Sequence, residues 1–311
     1  MNLKKNSILI GLALVFLASG CQWRNARHGE LMPGIQSSRS ADDRSSSKEE
    51  KNAIDENAAR PENESQRERE NASIATSTEN NSTEDLFLPA PFTNRPEQIL
   101  KRTGYVTSYN QTNKIPNWVA WNLTADDTRG RNKRAQIKFQ EDIDVPAPRA
   151  TDWDYSRSGF DRGHMCPAAD NKWSADAMTE SFLFTNICPQ NHHLNIGDWN
   201  ELEMRCRRWA EAYGAIQIVA GPILFNQRHQ TIGKNKVVVP EAFFKVVLCM
   251  GKTPKAIGFI YRNTEGNRPQ GDYVNSIDQI ERITGIDFFA GLPDNIEKMV
   301  EAEANLDDWA Q

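Results

Sequence analysis

The sequence predicts an α+β fold, a mixed and mainly antiparallel β-sheet flanked by helices. Three observations carry this prediction. Short runs rich in β-branched and aromatic residues recur between residues 117 and 263, punctuated by Gly, Pro and Asn. Only a few segments show the 3.6-residue apolar period of an amphipathic helix. Strand-like and helix-like segments do not alternate regularly, as a doubly wound parallel sheet would require.

The first residues, MNLKKNSILIGLALVFLASGC, have a lysine pair, an apolar run from Ile8 to Leu17 and small residues before Cys21. That is the layout of a secretory signal, and it is too short to span a bilayer. Its end, Leu17-Ala18-Ser19-Gly20-Cys21, resembles a bacterial lipobox with the large aliphatic residue one place early. Residues 1–20 are therefore expected to be a lipoprotein signal peptide. Cys21 would be acylated and would anchor the chain to a membrane facing the periplasm or the cell exterior. Ordinary cleavage and secretion is the alternative.

Residues 21–92 are almost entirely polar and charged, with no apolar periodicity. Such a segment buries too little surface to offset its ordering entropy and is expected to be a disordered tether. A coil of about 70 residues reaches roughly 45–50 Å. The folded domain is expected over residues 93–311.

Within that domain NWVAWNLT (117–124), SFLFTNIC (181–188), AIQIVAGPIL (215–224), NKVVVP and FFKVVLCM (235–250) and AIGFIYRN (256–263) read as strands. The principal helix is expected over 194–214, where Trp199, Leu202, Cys206, Trp209 and Tyr213 recur at helical spacing and Gly214 is the stop. Two further helices are expected in SIDQIERITG and PDNIEKMVEAEAN.

The chain has a formal net charge of −5, but the acids concentrate in the tether and after residue 286. Residues 93–286 carry about +4, with basic residues bunched at Arg129, Arg131, Lys133, Arg134 and at Arg205, Arg207, Arg208. The acidic total therefore does not exclude a polyanionic partner. Each bunch taken alone reads equally as a solvated face.

Two stretches carry chemistry. In Asp161-Arg162-Gly163-His164 an imidazole able to accept a proton near neutrality adjoins a guanidinium that can grip an anion, a pairing suited to attack on phosphate. The alternative is a structural histidine in a turn. In TNICPQNHHLNIGDWNELE (185–203), Asn195 is expected to open the long helix, with Glu203 within about 80° of it around the axis. These oxygen donors suit a hard cation such as Mg2+ better than zinc. Asn195 as a plain helix cap is the alternative.

Read jointly, D-R-G-H on a strand, then T-N-x-x-P-Q, then L-N-x-G-x-W-x-x-L-E on a helix resembles the DNA/RNA non-specific endonucleases, the sugar-non-specific nucleases with a ββα-metal (His-Me) finger. The likeness extends from PNWVAWNLT to SIDQIERITGIDFF, over nearly all of residues 100–290. It implies His164 as general base and Asn195 as the sole protein ligand of one Mg2+, with Mn2+ the alternative ion. It implies Glu203 hydrogen-bonding a water of that ion, Asn186 shaping the site near the metal, and Arg162 and Arg134 steadying the phosphate. Arg131 rivals Arg134. DNA and RNA would both be cut without sequence preference, since no residue of the set reads a base edge.

Without Cys21 an even set of cysteines remains, and spacing suggests a bridge between Cys166 and Cys206 that would pin the base to the metal helix. Three rival readings stay open. Cys166 could be a nucleophile activated by His164, zinc could be held by His192, His193 and a cysteine, or the fold could be an inactive module that binds nucleic acid or another anion.

Overall fold

A computed structural model of the chain describes residues 87–310. The expected signal peptide, Cys21 and nearly all of the expected tether lie outside the described residues. Eleven strands run in chain order: β1 (Gln98–Lys101), β2 (Val106–Asn110), β3 (Ile115–Thr124), β4 (Asp161–His164), β5 (Ile187–Gln190), β6 (Ala215–Ile223), β7 (Thr231–Ile232), β8 (Val237–Val238), β9 (Ala242–Cys249), β10 (Lys255–Arg262) and β11 (Val274–Asn275). The α-helices among the described residues are α1 (Asp152–Tyr155), α2 (Ala175–Glu180), α3 (His192–Ile196), α4 (Asp198–Tyr213), α5 (Ile277–Thr284) and α6 (Asp294–Ala302).

Seven strands form one sheet in the order β1-β2-β3-β6-β9-β10-β11, with every neighbouring pair antiparallel. Both faces are covered, which is why the central strands read as continuous apolar runs rather than a strict alternation. Trp121, Leu123, Ile218, Phe243, Val247, Ile257 and Phe259 face one core. Trp118, Ala120, Val219, Phe244, Val246 and Leu248 face the other.

Helix α4 covers the first face with Trp199, Leu202, Cys206 and Trp209. Each large side chain so buried contributes roughly 1.5–3 kcal/mol. Helices α5 and α6 close the second face, with Ile277, Ile280 and Val300 in its core. Ser276 begins α5 with a capping box shared with Gln279, and Gly285 ends it in the left-handed conformation at φ 67°.

Four expectations need correction. The folded part starts before residue 93, because Phe87, Leu88 and Phe92 pack against the second core and Ala90 N–H donates to the Asp287 carbonyl. SFLFTNIC is not one strand. Ser181 Oγ donates to the Met178 carbonyl and Asn186 Nδ2 to the Ser181 carbonyl, and these local bonds bend the chain into a 3₁₀ turn at Phe184–Asn186 before β5 begins.

The long helix is broken at Gly197, where a Cβ would lie 2.6 Å from the His193 carbonyl oxygen. Asn195 therefore sits in α3, not at the head of α4. Cys166, Cys188, Cys206 and Cys249 are all free buried thiols, so the expected Cys166–Cys206 bridge is absent. Strand β4 ends at His164, and Cys166 turns inward beneath the Asn186 side chain instead of continuing along a strand face.

Candidate active site

Strands β4 and β5 form a two-stranded antiparallel sheet apart from the main sheet, and α3 and α4 follow directly, giving a ββα unit. Gly163 is obligatory there, since a Cβ would overlap the Gln190 side chain on the partner strand. The glycine of D-R-G-H and the glutamine of P-Q are thus one packing contact.

His164, at the end of β4, is half-buried and held between Phe182, edge-on at 5.0 Å, and Phe139, tilted at 5.3 Å. Its Nε2 is shielded and has no hydrogen-bond partner. Its backbone carbonyl accepts from Trp199 Nε1 at 3.2 Å, tying β4 to α4. Burial, and secondarily the nearby Arg134 guanidinium, push the imidazole down to about 3, so the ring is neutral at physiological pH.

Asn191, not Asn195, caps α3, accepting from the backbone N–H groups of His193 and Leu194. Asn195 is thereby released from the capping role. Its Nδ2 donates to Asp161 Oδ2 at 2.9 Å, and the same carboxylate meets His192 Nδ1 at 2.9 Å. The amide is thus clamped by its nitrogen, which leaves Oδ1 as the group it presents to the cleft. A neutral oxygen donor of that kind suits a hard divalent cation.

Glu203, on α4, lines the same cleft. Its Oε1 lies 4.0 Å from Lys245 Nζ, and only 1% of the lysine side chain and 12% of the glutamate side chain are exposed. Burial pushes Glu203 up to about 7, against the opposing pull of Lys245. The Lys245 ammonium has no hydrogen-bond partner and rests 4.3 Å from the Trp199 ring centroid.

His164, Asn195, Glu203, Arg162 and Arg134 all line one cleft of about 710 Å3. Lys133, Lys172 and Arg207 line it as well, so the mouth is rich in positive charge around two carboxylates, Asp161 and Glu203. Arg134 stacks over Phe182 at 5.7 Å, which separates it from its rival Arg131. Arg162 is held by Asp152 through Nε, at 2.7 Å, and through Nη2. Its Nη1 has no hydrogen-bond partner among the described residues.

Asn186 is the one residue of the set that does not reach the cleft. It is fully buried, and its amide accepts from Cys166 N–H and donates to the Cys166 and Ser181 carbonyls. It braces the chain two residues beyond His164, on the His164 side of the cleft rather than the Asn195 side.

The sequence reading missed Asp161 as the clamp on Asn195, Phe139 and Phe182 as walls of the imidazole, and Lys245 beneath Glu203. Arg207 carried a usable signal, because it lies one helical turn after Glu203 and so shares its face. It pairs with the buried Asp170 at 2.8 Å.

Two rivals lose their basis. Cys166 is 0% exposed, and burial raises its thiol well above the ordinary range, the opposite of an activated nucleophile. Among the described residues the histidines and cysteines form no metal-binding group, and His192 is engaged by Asp161.

Comparison with known proteins agrees with this geometry. The family model described as DNA/RNA non-specific endonuclease matches residues 84–295. The mitochondrial nuclease EXOG of Danio rerio is 40% identical over 207 residues, 61% of this chain and 60% of that one. The chain thus spans about three fifths of that relative's length. Mitochondrial endonuclease G of Homo sapiens is 34% identical over 61% of this chain and 69% of its own. Among solved structures, the crystal structure of the EndoG/EndoGI complex superposes with a TM-score of 0.63 at 26% identity, covering 68% of this chain and 91% of that one. The match over residues 84–295, on a ββα unit that carries all three motifs, places the chain in the DNA/RNA non-specific endonuclease family.

Proposed function

We propose that this chain is an exported, lipid-anchored, Mg2+-dependent endonuclease that hydrolyses phosphodiester bonds of DNA and RNA without sequence preference. The observation that carries the reading is the convergence of a neutral imidazole, a clamped amide oxygen and a buried carboxylate in one cleft rimmed by basic side chains.

His164 is the general base. Its Nε2 is shielded, which leaves Nδ1 as the nitrogen to take the proton of the attacking water, a contribution of about 10²- to 10⁴-fold. Asn195 is the protein ligand of the cation, which when bound supplies Lewis-acid polarisation of the phosphate and stabilises the departing 3′ oxygen. Mn2+ would serve the same donor. Glu203 orders water around the ion. Arg162 and Arg134 add positive charge where the phosphate gains negative charge, and Lys133 and Lys172 extend that field along the strand.

None of these side chains is arranged as a base reader, so the backbone carries recognition and both sugars are accepted. Export and anchoring through an acylated Cys21 rest on the layout of residues 1–21, and the polar tract behind it would hold the domain off the lipid surface.

The test is incubation with plasmid DNA and with RNA, with Mg2+ or EDTA, beside His164→Ala. The expected result is loss of both substrates with Mg2+, none with EDTA, and activity lower by several orders of magnitude in the variant. Binding without cleavage by the wild-type chain would replace the enzyme with a binding module.

A further inference from the structure

On the sheet face opposite the cleft, α5 and α6 bring three carboxylates together. Asp278 and Glu281 are one turn apart on α5, Glu301 is in the last turn of α6, and one oxygen of each lies within 4.8 Å of the others. Acidic residues at a surface cluster often without purpose, but Glu301 is not at the surface. It is 7% exposed, and its Oε1 is shielded from solvent with no hydrogen-bond partner. Glu281 has a single commitment, accepting from Phe288 N–H at 2.8 Å through Oε1, which leaves Oε2 open.

Among the described residues no lysine or arginine forms an ion pair with any of the three. Asp287 and Glu297 add negative charge around them. Burial first, then mutual repulsion, pushes Glu301 up to about 8 and Glu281 to about 7. Such a cluster is held at neutral pH either by protons or by a cation.

The ligand set favours the cation. Three oxygens within 4.8 Å of one another can share one coordination shell. Ca2+ takes six to eight oxygens, carboxylates among them, in a flexible geometry, whereas Mg2+ demands near-octahedral ligands, sheds its waters reluctantly and is usually held by one or two carboxylates, so three carboxylates from two helices suit the larger ion. We propose that Asp278, Glu281 and Glu301 form a second cation site, selective for Ca2+ over Mg2+ and separate from the cleft, that ties α6 to α5. Its partners are all carboxylates, whereas the cleft offers one amide. The two sites are therefore expected to prefer different ions, and this one requires no nuclease activity to exist.

The test uses the full chain carrying Asn195→Ala, so that the cleft holds no ion, titrated calorimetrically with CaCl2 and with MgCl2. The expected result is one Ca2+ per chain, bound at least tenfold more tightly than Mg2+, with a melting temperature that rises with CaCl2. Adding Glu301→Gln or Asp278→Asn should each weaken Ca2+ binding at least tenfold and remove the thermal shift. In EDTA, Glu301→Gln should melt no lower than its parent, because it relieves repulsion, and this separates lost binding from lost folding. Glu301→Gln alone should leave DNA cleavage in Mg2+ unchanged. Failure of the Asn195→Ala chain to bind Ca2+, or binding that survives both substitutions, would overturn the site and leave shared protons as what holds the cluster.

Discussion

Lys245→Met tests whether the buried ammonium beside Glu203 tunes its carboxyl. The ammonium lies 4.0 Å from the carboxylate, and neither group has much access to water. At an effective dielectric constant of about 20 a unit pair at that separation interacts by about 4 kcal/mol, which is about three pKa units. Water entering the space left by the ammonium would screen part of this, so the shift on Glu203 should fall between about one and three units.

The direction is fixed. Losing the cation raises the carboxyl further above the value of about 7 that burial already imposes. If Glu203 works as a carboxylate, kcat/KM at pH 7, where the wild-type group is about half ionised, should fall about 5- to 500-fold and recover as pH rises. Methionine keeps the apolar stem against Trp199 and Trp121, so fold loss is not the expected outcome. The assay is kcat/KM on duplex DNA from pH 5 to 10 at saturating Mg2+, with circular dichroism as the folding control. An acid limb that stays in place in the folded variant would refute the coupling.

The remaining predictions concern the base, the metal clamp and the thiols. His164→Ala should lower kcat by about 10²- to 10⁴-fold with little change in the Kd for DNA, measured by fluorescence anisotropy in Ca2+ or EDTA. Because the His164 pKa is depressed from 6.5 to about 3, its share of stability is fully present above pH 6.5 and is lost as pH falls toward 3. Denaturant melts across that window should be steeper in pH for wild type than for His164→Ala. Asp161→Ala frees the Asn195 amide and should raise the half-saturating Mg2+ concentration about 10- to 100-fold while changing KM for DNA far less. Intact mass should be the same with and without reductant, and the four described cysteines should react with a thiol reagent only on unfolding.

The legible parts of the sequence were those where one physical signal dominates. Strands β3, β6, β9 and β10 are buried on both faces and read as apolar runs. Helix α4 declares itself through Trp199, Leu202, Cys206 and Trp209. Strand β2, VTSYN, gives no apolar run because most of its buried side chains are polar and find partners on β3, with Asn110 donating to Asn117 and Asn117 to Ser108.

The break at Gly197 was hidden by a helical pattern that continues on both sides of it, and an unbroken helix was the natural extrapolation. At the site, His164, Asn195, Glu203, Arg162 and, with Arg131 as a rival, Arg134 follow from the family resemblance, and all five line one cleft. Asp161 and Lys245 are not. Their importance depends on what lies opposite them in space, 34 and 42 residues away along the chain. The Cys166–Cys206 bridge failed for the same reason, since the wheel arithmetic assumed a strand and a helix that both stop short.

The central claim is that one hard cation sits against Asn195 in a cleft it shares with His164. Anomalous diffraction from His164→Ala crystals grown with Mn2+ and a short DNA duplex tests it directly. The account predicts a manganese peak within coordination distance of Asn195 Oδ1, with a phosphate oxygen beside it. A cleft peak seated on His192 and His193, or a phosphate bound there with no ion at Asn195, would contradict it.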